Sequence, residues 1–256
     1  MFFHQDIKGD RLPRGTVCFT YDDGPGLTEG DGPGPNTLEL GRYLYEEQVP
    51  ATFFVVGSHA KAHRDVLAKL QAWGHVIGNH TYSHPGLVAL ALADGDVIGE
   101  LAKTDAVIRP YVSGDVVFFR APYGNWREKV APDSDEDKET SLVADILNRS
   151  GQFPGHVGPV NWDIVAADWE CWRQGVSAEE CARRYLAETD WVGGGIILMH
   201  DSAEDEQLRS CNQTMRMTKI LVPLLKERGY RFIRLDAVPQ VADAVGMSRE
   251  GIDLRT

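Results

Sequence analysis

Two adjacent carboxylates, Asp22 and Asp23, follow the apolar run Thr16–Thr20 and precede Gly24-Pro25. Neighbouring side chains on an extended backbone point to opposite faces, so one aspartate can hold a cation while the other meets a substrate. The stretch Asp-Asp-Gly-Pro is also ordinary turn composition. Further along stands His80-Thr-Tyr-Ser-His84. Imidazoles four residues apart share one face of a helical turn, a spacing suited to chelation; the alternative is two unrelated surface histidines. With one carboxylate they make three ligands and leave a position open for water, the usual layout of a catalytic zinc site.

Arg120-Ala-Pro-Tyr-Gly124 adds a guanidinium able to fix and acidify a neighbouring carboxylate. Pro122 lacks a backbone N–H and Gly124 permits a sharp turn, which leaves the Tyr123 N–H free to face an oxyanion. Leu198-Met-His200-Asp201 puts a titratable imidazole at the end of an apolar run, suited to general acid work. A lone histidine in that setting is more often a core residue with its hydrogen bonds satisfied.

These groups share one address. Thr16–Thr20, Ala51–Val56, the shorter Val76–Ile77, Val116–Phe119, Val160–Val165, Ile196–Met199 and Arg231–Leu235 read as buried strands. Asp22 and Asp23, His80 and His84, Arg120, Asp168 and His200 each stand at or just past the C-terminal end of one of them. That is the end where parallel α/β folds collect catalytic groups. Between the strands, Val66, Leu67, Leu70 and Trp73 repeat at helical spacing and stop at Gly74, a natural C-terminal cap. Val97, Ile98, Leu101 and Ile108 form a second such face. Ser177 with Glu180 signals a capping box, and a last helix runs to Gly229 with a kink expected at Pro223. The alternation implies βαβ units and a mostly parallel sheet, either open or closed into a barrel.

Composition narrows the partners. The chain has 256 residues, 43% of them hydrophobic and 25% charged, which suits one globular catalytic unit over residues 1–256 with its core at about 16–235. A formal charge of −12, without a Lys/Arg cluster, argues against nucleic acid and anionic membrane surfaces. No apolar run is long enough for a transmembrane segment. Met1–Asp10 has no apolar h-region, so the chain shows no signal peptide and reads as cytoplasmic or as a trimmed mature form. Cys18, Cys171, Cys181 and Cys211 include no CxxC pair, and Cys171 with Cys181 is open to pairing in an oxidising compartment. Asp133–Glu139 reads as a solvated acidic loop.

Taken together, the segments resemble the polysaccharide deacetylases of carbohydrate esterase family four, the NodB homology domain. Its five motifs correspond in order to Thr20-Tyr-Asp-Asp-Gly24, His80-Thr-Tyr-Ser-His84, Arg120-Ala-Pro-Tyr-Gly124, Asp168-Trp169 and Leu198-Met-His200-Asp201. Ala51-Thr-Phe-Phe-Val-Val-Gly57 also looks like the family, and the match spans roughly Thr16 to Leu235. The resemblance implies an α/β fold, a distorted (β/α) barrel with about seven parallel strands. It implies that Asp23, His80 and His84 bind a divalent metal, usually Zn2+, with Co2+, Ni2+ and Mn2+ as alternatives. Asp22 would be the base, Arg120 its support, His200 the acid and Asp168 the support of its charged form. The Tyr123 N–H would bind the oxyanion, and Trp169 and Leu198 would wall the acetyl pocket. The substrate implied is an acetylated glycan or oligosaccharide, losing N-acetyl or O-acetyl groups. Two departures stand out. Val165 occupies the place where the fourth motif often has an aspartate, with Asp163 nearby, and Gly26–Pro35 is a longer link than usual. At a barrel rim such a loop reshapes the groove.

Two other functions fit part of this pattern. An amidase acting on a non-carbohydrate amide or cyclic ureide would keep the chemistry but need a narrow, closed pocket with ionic partners. Tyr21, Tyr82, Tyr123, Trp126 and Trp169 favour an aromatic groove instead. An inactive glycan-binding module would lack the base, a metal ligand or the acid, and this chain retains all of them.

Overall fold

The structure, a computed structural model, describes residues 6–28, 33–131 and 133–244. Part of the Met1–Asp10 stretch, the centre of the Gly26–Pro35 link and the end of the 1–256 unit beyond residue 244 lie outside the described residues. The strands are β1 (Thr16–Asp22), β2 (Ala51–Val55), β3 (Val76–Asn79), β4 (Val117–Phe118), β5 (His156–Val157), β6 (Gly194–His200) and β7 (Arg231–Phe232). The helices are α1 (Thr37–Glu46), α2 (Gly57–Ala62), α3 (Arg64–Ala72), α4 (Leu87–Leu92), α5 (Val97–Ile108), α6 (Leu142–Ser150), α7 (Asp168–Arg173), α8 (Ala178–Val192), α9 (Glu206–Ser210), α10 (Thr214–Glu227) and α11 (Pro239–Ala244).

All named strand pairs are parallel. Strand β1 is central: β6 lies along its whole length, while β2 and β7 share its other edge end to end. Its residues are all buried, as expected for a parallel strand covered on both faces. The period of two sorts them. Val17, Phe19 and Tyr21 join the cluster beneath the surrounding helices, with Phe53, Val55, Leu67, Leu70, Leu221 and Leu225. Cys18 points to the interior cluster of Phe54, Val76, Phe118, Val160 and Ile196, and Thr20 and Asp22 continue that inner row.

The sheet is irregular at its β4–β5 side, where the sequence reading expected a strand at Val160–Val165. Strands β4 and β5 form a separate pair, joined to β3 by one bridge between Asn79 and Phe119. Val160–Val165 is not a strand. It makes isolated bridges, Val160 to Ile7 and Ile164 to Ile197. Between them the Asp163 carboxylate accepts the Gly9 and Ile196 N–H groups, at 2.7 and 2.8 Å, so a side chain stands where ladder bonds would run. Asp168 therefore follows no strand; it is the first residue of α7, after Ala167 in the left-handed region (φ 54°).

Local signals set most of the helices. Asn36, Asp96, Ser141 and Ser177 accept the N–H three residues on and open α1, α5, α6 and α8. Gly74 ends the turn after α3 at φ 83°. Helix α10 continues past Pro223 to Glu227. All four cysteines are free, Cys171 and Cys181 included. None of the helices among the described residues is long and apolar enough to cross a membrane.

Candidate active site

Strand register brings the chemistry to one end of the sheet. Asp22 is the partner of His200 across β1 and β6, and Val55 is the partner of Asn79 across β2 and β3. The Asn79–Phe119 bridge then sets His80 beside Arg120. Asp22, Asp23, His80, His84, Tyr123, Trp169, Leu198 and His200 line one cleft of about 580 Å3.

The metal ligands suggested by sequence converge. Nε2 of His84 lies 3.1 Å, and Nε2 of His80 3.5 Å, from Oδ1 of Asp23. The three ligand atoms lie within 4.8 Å of one another and all three residues are buried. Asp23 Oδ1 has no hydrogen-bond partner despite its burial. A buried, unpaired carboxylate oxygen facing two imidazole nitrogens is costly alone and is satisfied by a cation. His80 Nδ1 donates to the Arg120 carbonyl at 2.8 Å, which fixes the tautomer that leaves Nε2 a lone pair for a metal. Burial pushes the Asp23 carboxyl up, but the two imidazoles outweigh it and hold the group well below the usual range. The residues present fit a divalent ion.

Two details differ from the sequence reading. His80 and His84 do not share a helical turn: β3 ends at Asn79 and both lie on the loop that follows, with Thr81 and His84 in the left-handed region (φ 68° and 57°). Nor do Asp22 and Asp23 separate to opposite sides. Asp23 leaves the extended conformation (φ 76°), and both carboxylates come within 3.6 Å of His80 Nε2. Backbone strain of this kind is held by its surroundings. Here the Asp23 carbonyl takes His59 Nδ1 at 2.8 Å and the Asp22 carbonyl takes the Asp201 N–H at 3.1 Å. The Gly24 approach is equally tight: a Cβ there would fall 2.0 Å from Asp201 Oδ2.

Arg120 is fully buried. Nη1 donates to Asp22 Oδ1 and to Thr20 Oγ1, both at 2.8 Å, Nε to the Val160 carbonyl at 2.8 Å, and Nη2 to the Asn161 carbonyl at 3.1 Å. Asp163 is committed to backbone N–H groups and does not take the place that Val165 leaves open. Neutral carbonyls hold the guanidinium instead, so its charge is directed at Asp22.

On the other side of the cleft, Asp168 Oδ1 accepts His200 Nδ1 at 2.8 Å and Oδ2 accepts the His200 N–H at 2.7 Å. Burial alone would lower the imidazole pKa. Asp168, with smaller help from Asp23 and Asp22, reverses this and pushes it up to about 9. Trp169 packs edge-on to His200, and Leu198 is buried in β6. The Tyr123 N–H, in a turn at φ 59°, has no protein acceptor among the described residues. Tyr123 is 73% exposed on the rim, and its ring meets that of His84 edge-on, with centroids 4.6 Å apart.

Of the five aromatics offered for a groove, Tyr123 and Trp169 line the cleft, Tyr82 does not, and Tyr21 and Trp126 are core residues. Trp162 and Trp172 line it too and carried no spacing signal. Sequence reasoning also missed His59, whose Nε2 lies 3.3 Å from Glu204, and Asn79, whose side-chain oxygen accepts the Thr81 N–H at 2.9 Å. Asn79 adjoins the first histidine of the pair, a signal within reach. Asp201 was quoted only as part of a motif. Buried, it accepts the Thr37 hydroxyl, and desolvation with the nearby Asp23 and Asp22 raises its carboxyl to about 7.

Comparison with known proteins decides the family: residues 9–138 match the model of the polysaccharide deacetylases. The chain belongs to the polysaccharide deacetylase family. It is 32% identical over 221 residues to a chitooligosaccharide deacetylase of Rhizobium leguminosarum bv. trifolii, covering 84% of this chain and 89% of the relative. It is 27% identical to a peptidoglycan-N-acetylglucosamine deacetylase of Bacillus cereus, over 88% of this chain and 69% of that one. The structure of the chitin deacetylase of Colletotrichum lindemuthianum superposes with a TM-score of 0.63 at 25% identity, covering 98% of this chain and 94% of that one. This polysaccharide deacetylase is thus a metal-dependent hydrolase with the distorted barrel of its relatives.

Proposed function

We propose that the enzyme removes N-acetyl groups from an N-acetylglucosamine oligosaccharide, using Asp22 as base, His200 as acid and Zn2+ held by Asp23, His80 and His84. One observation carries the reading: Asp22 and His200, register partners on neighbouring strands, flank the Asp23–His80–His84 cluster in one cleft. A cation there supplies Lewis-acid polarisation of the acetyl carbonyl and makes water acidic enough to be activated near neutral pH.

The remaining chemistry belongs to the chain. Asp22 Oδ2 takes the proton of the attacking water, while Arg120 holds Oδ1 and fixes the carboxylate in place. The Tyr123 N–H donates to the oxygen that gains charge as the tetrahedral centre forms. His200 delivers a proton to the departing nitrogen. Its Nδ1–H is held by Asp168, so the proton transferred is the one on Nε2. Leu198 and Trp169 wall the methyl group.

The relatives named for chitooligosaccharide and peptidoglycan support a glycan substrate, as does a rim bearing Tyr123, Trp162 and Trp169. The test is acetate release from a panel of chitin oligomers, peptidoglycan and acetylated xylan. Release from chitin oligomers well above the other two is expected. Release from acetylated xylan alone would overturn the amide assignment, and release from none would overturn the glycan assignment.

A further inference from the structure

The His200–Asp168 pair is braced from a direction that the five motifs do not cover. Thr214, the first residue of α10, is fully buried, and its hydroxyl lies 3.0 Å from Asp168 Oδ2. The Thr214 hydroxyl oxygen also lies 3.1 Å from Nε1 of Trp172, which is 2% exposed. Indole Nε1 is a donor only. At that contact Thr214 Oγ1 must accept, and its single hydrogen is left for Asp168. The polarity is then fixed over four residues: Trp172 Nε1–H to Thr214, Thr214 O–H to Asp168, and His200 Nδ1–H to Asp168.

The remaining Asp168 contacts complete the set. Oδ1 accepts His200 Nδ1 and the Trp169 N–H, at 2.8 and 3.0 Å; Oδ2 accepts the His200 N–H and the Thr214 hydroxyl, at 2.7 and 3.0 Å. An ionised carboxylate offers about four lone-pair sites, so every site faces a donor. A carboxylate so enclosed cannot rotate away from the imidazole. Resting on the reading of His200 as the acid, we propose that Thr214 is a positioning residue for it, with the Thr214 hydroxyl, oriented by Trp172, locking Asp168 in the geometry that aims His200 Nε2 at the leaving group.

The inference separates from a packing role through the leaving group. An amine departs only after protonation, whereas a nitrophenolate leaves unaided, so a misaimed acid harms the amide alone. Thr214→Val keeps the shape and removes the hydroxyl, Thr214→Ser keeps the hydroxyl, and His200→Ala is the control. Rates on an acetylated chitin oligomer and on 4-nitrophenyl acetate are compared in the Zn2+-loaded enzyme. Thr214→Val is expected to lower the amide rate about 10–100-fold, the usual range for a group behind a functional one, with the ester rate within about 3-fold. Thr214→Ser should restore the amide rate to within about 3-fold of wild type. If Thr214→Val does not fold, Thr214→Ala carries the same expectation. A ratio that collapses in His200→Ala but stays at the wild-type value in Thr214→Val, or in Thr214→Ala, overturns the role of Thr214 and leaves the acid assignment intact. An unchanged ratio in His200→Ala itself overturns both.

Discussion

The two sides of the cleft are finished to different degrees. On the base and metal side, Asp23 Oδ1 is buried without a hydrogen-bond partner, two imidazoles converge on it, and three residues of that side hold left-handed backbone: Asp23, Thr81 and His84. On the acid side, every site of the Asp168 carboxylate has a donor, and Asn212 ties down the His200 carbonyl at 2.9 Å. One side needs a cation to satisfy its groups; the other is complete as the chain folds. On the reading proposed above, metal site and proton donor are built separately and set side by side by the β1–β6 register, so they act on each other through charge rather than through shared hydrogen bonds.

The largest expected effects break the metal side. His80→Ala or His84→Ala leaves two ligands, too few for a stable site, so activity should fall below detection and bound metal should disappear on elemental analysis. Near-stoichiometric metal in both variants would remove these residues from the ligand set. Next in size is Asp22→Asn, which keeps the shape and the Arg120 contact but cannot accept a proton. A loss of about 10²–10⁴-fold with metal content unchanged is expected. Turnover near the wild-type rate would assign the base elsewhere.

How much of this was legible in the sequence follows the same division. The metal side announces itself because its residues are near neighbours in the chain: Asp22 beside Asp23, His80 four before His84, each after an apolar run. In the structure the period of two along β1 places Asp22 on the inner row with Cys18 and Thr20. What failed there was backbone detail. Left-handed conformations at Asp23, Thr81 and His84 are imposed by tertiary contacts, and no local propensity announces them. The acid side is assembled from α7, β6 and the start of α10, and Thr214, Trp172 and Asn212 have no spacing relative to His200 that would flag them. Val160–Val165 was misread for a related reason: its apolar residues suit a strand, but Asp163 turns inward to bind backbone N–H groups and interrupts the ladder.

A smaller effect sharpens the comparison on the acid side. Asp168 holds the folded His200 pKa at about 9, against about 6.5 in the unfolded chain. The stability this linkage contributes is fully present below pH 6.5 and is lost as pH rises through 9. It amounts to at most about 3.5 kcal/mol. In metal-stripped protein the melting temperature of wild type should therefore fall between pH 6.5 and 9, while that of His200→Ala should fall less. Parallel profiles for the two proteins would detach His200 from Asp168. The amide rate of the Zn2+-loaded enzyme, which needs the acid protonated, should fall as pH rises through the His200 pKa, itself brought below 9 by the added positive charge.

The most direct test of a metal-dependent deacetylase is a titration. Enzyme stripped with a chelator is mixed with an acetylated chitin oligomer, and acetate release is followed as Zn2+ is added, with His84→Ala beside it. The account predicts no release from the stripped enzyme, full activity at about one equivalent of Zn2+ as expected for a single three-ligand site, and no recovery in His84→Ala. Undiminished acetate release from enzyme shown by elemental analysis to be free of metal would contradict it.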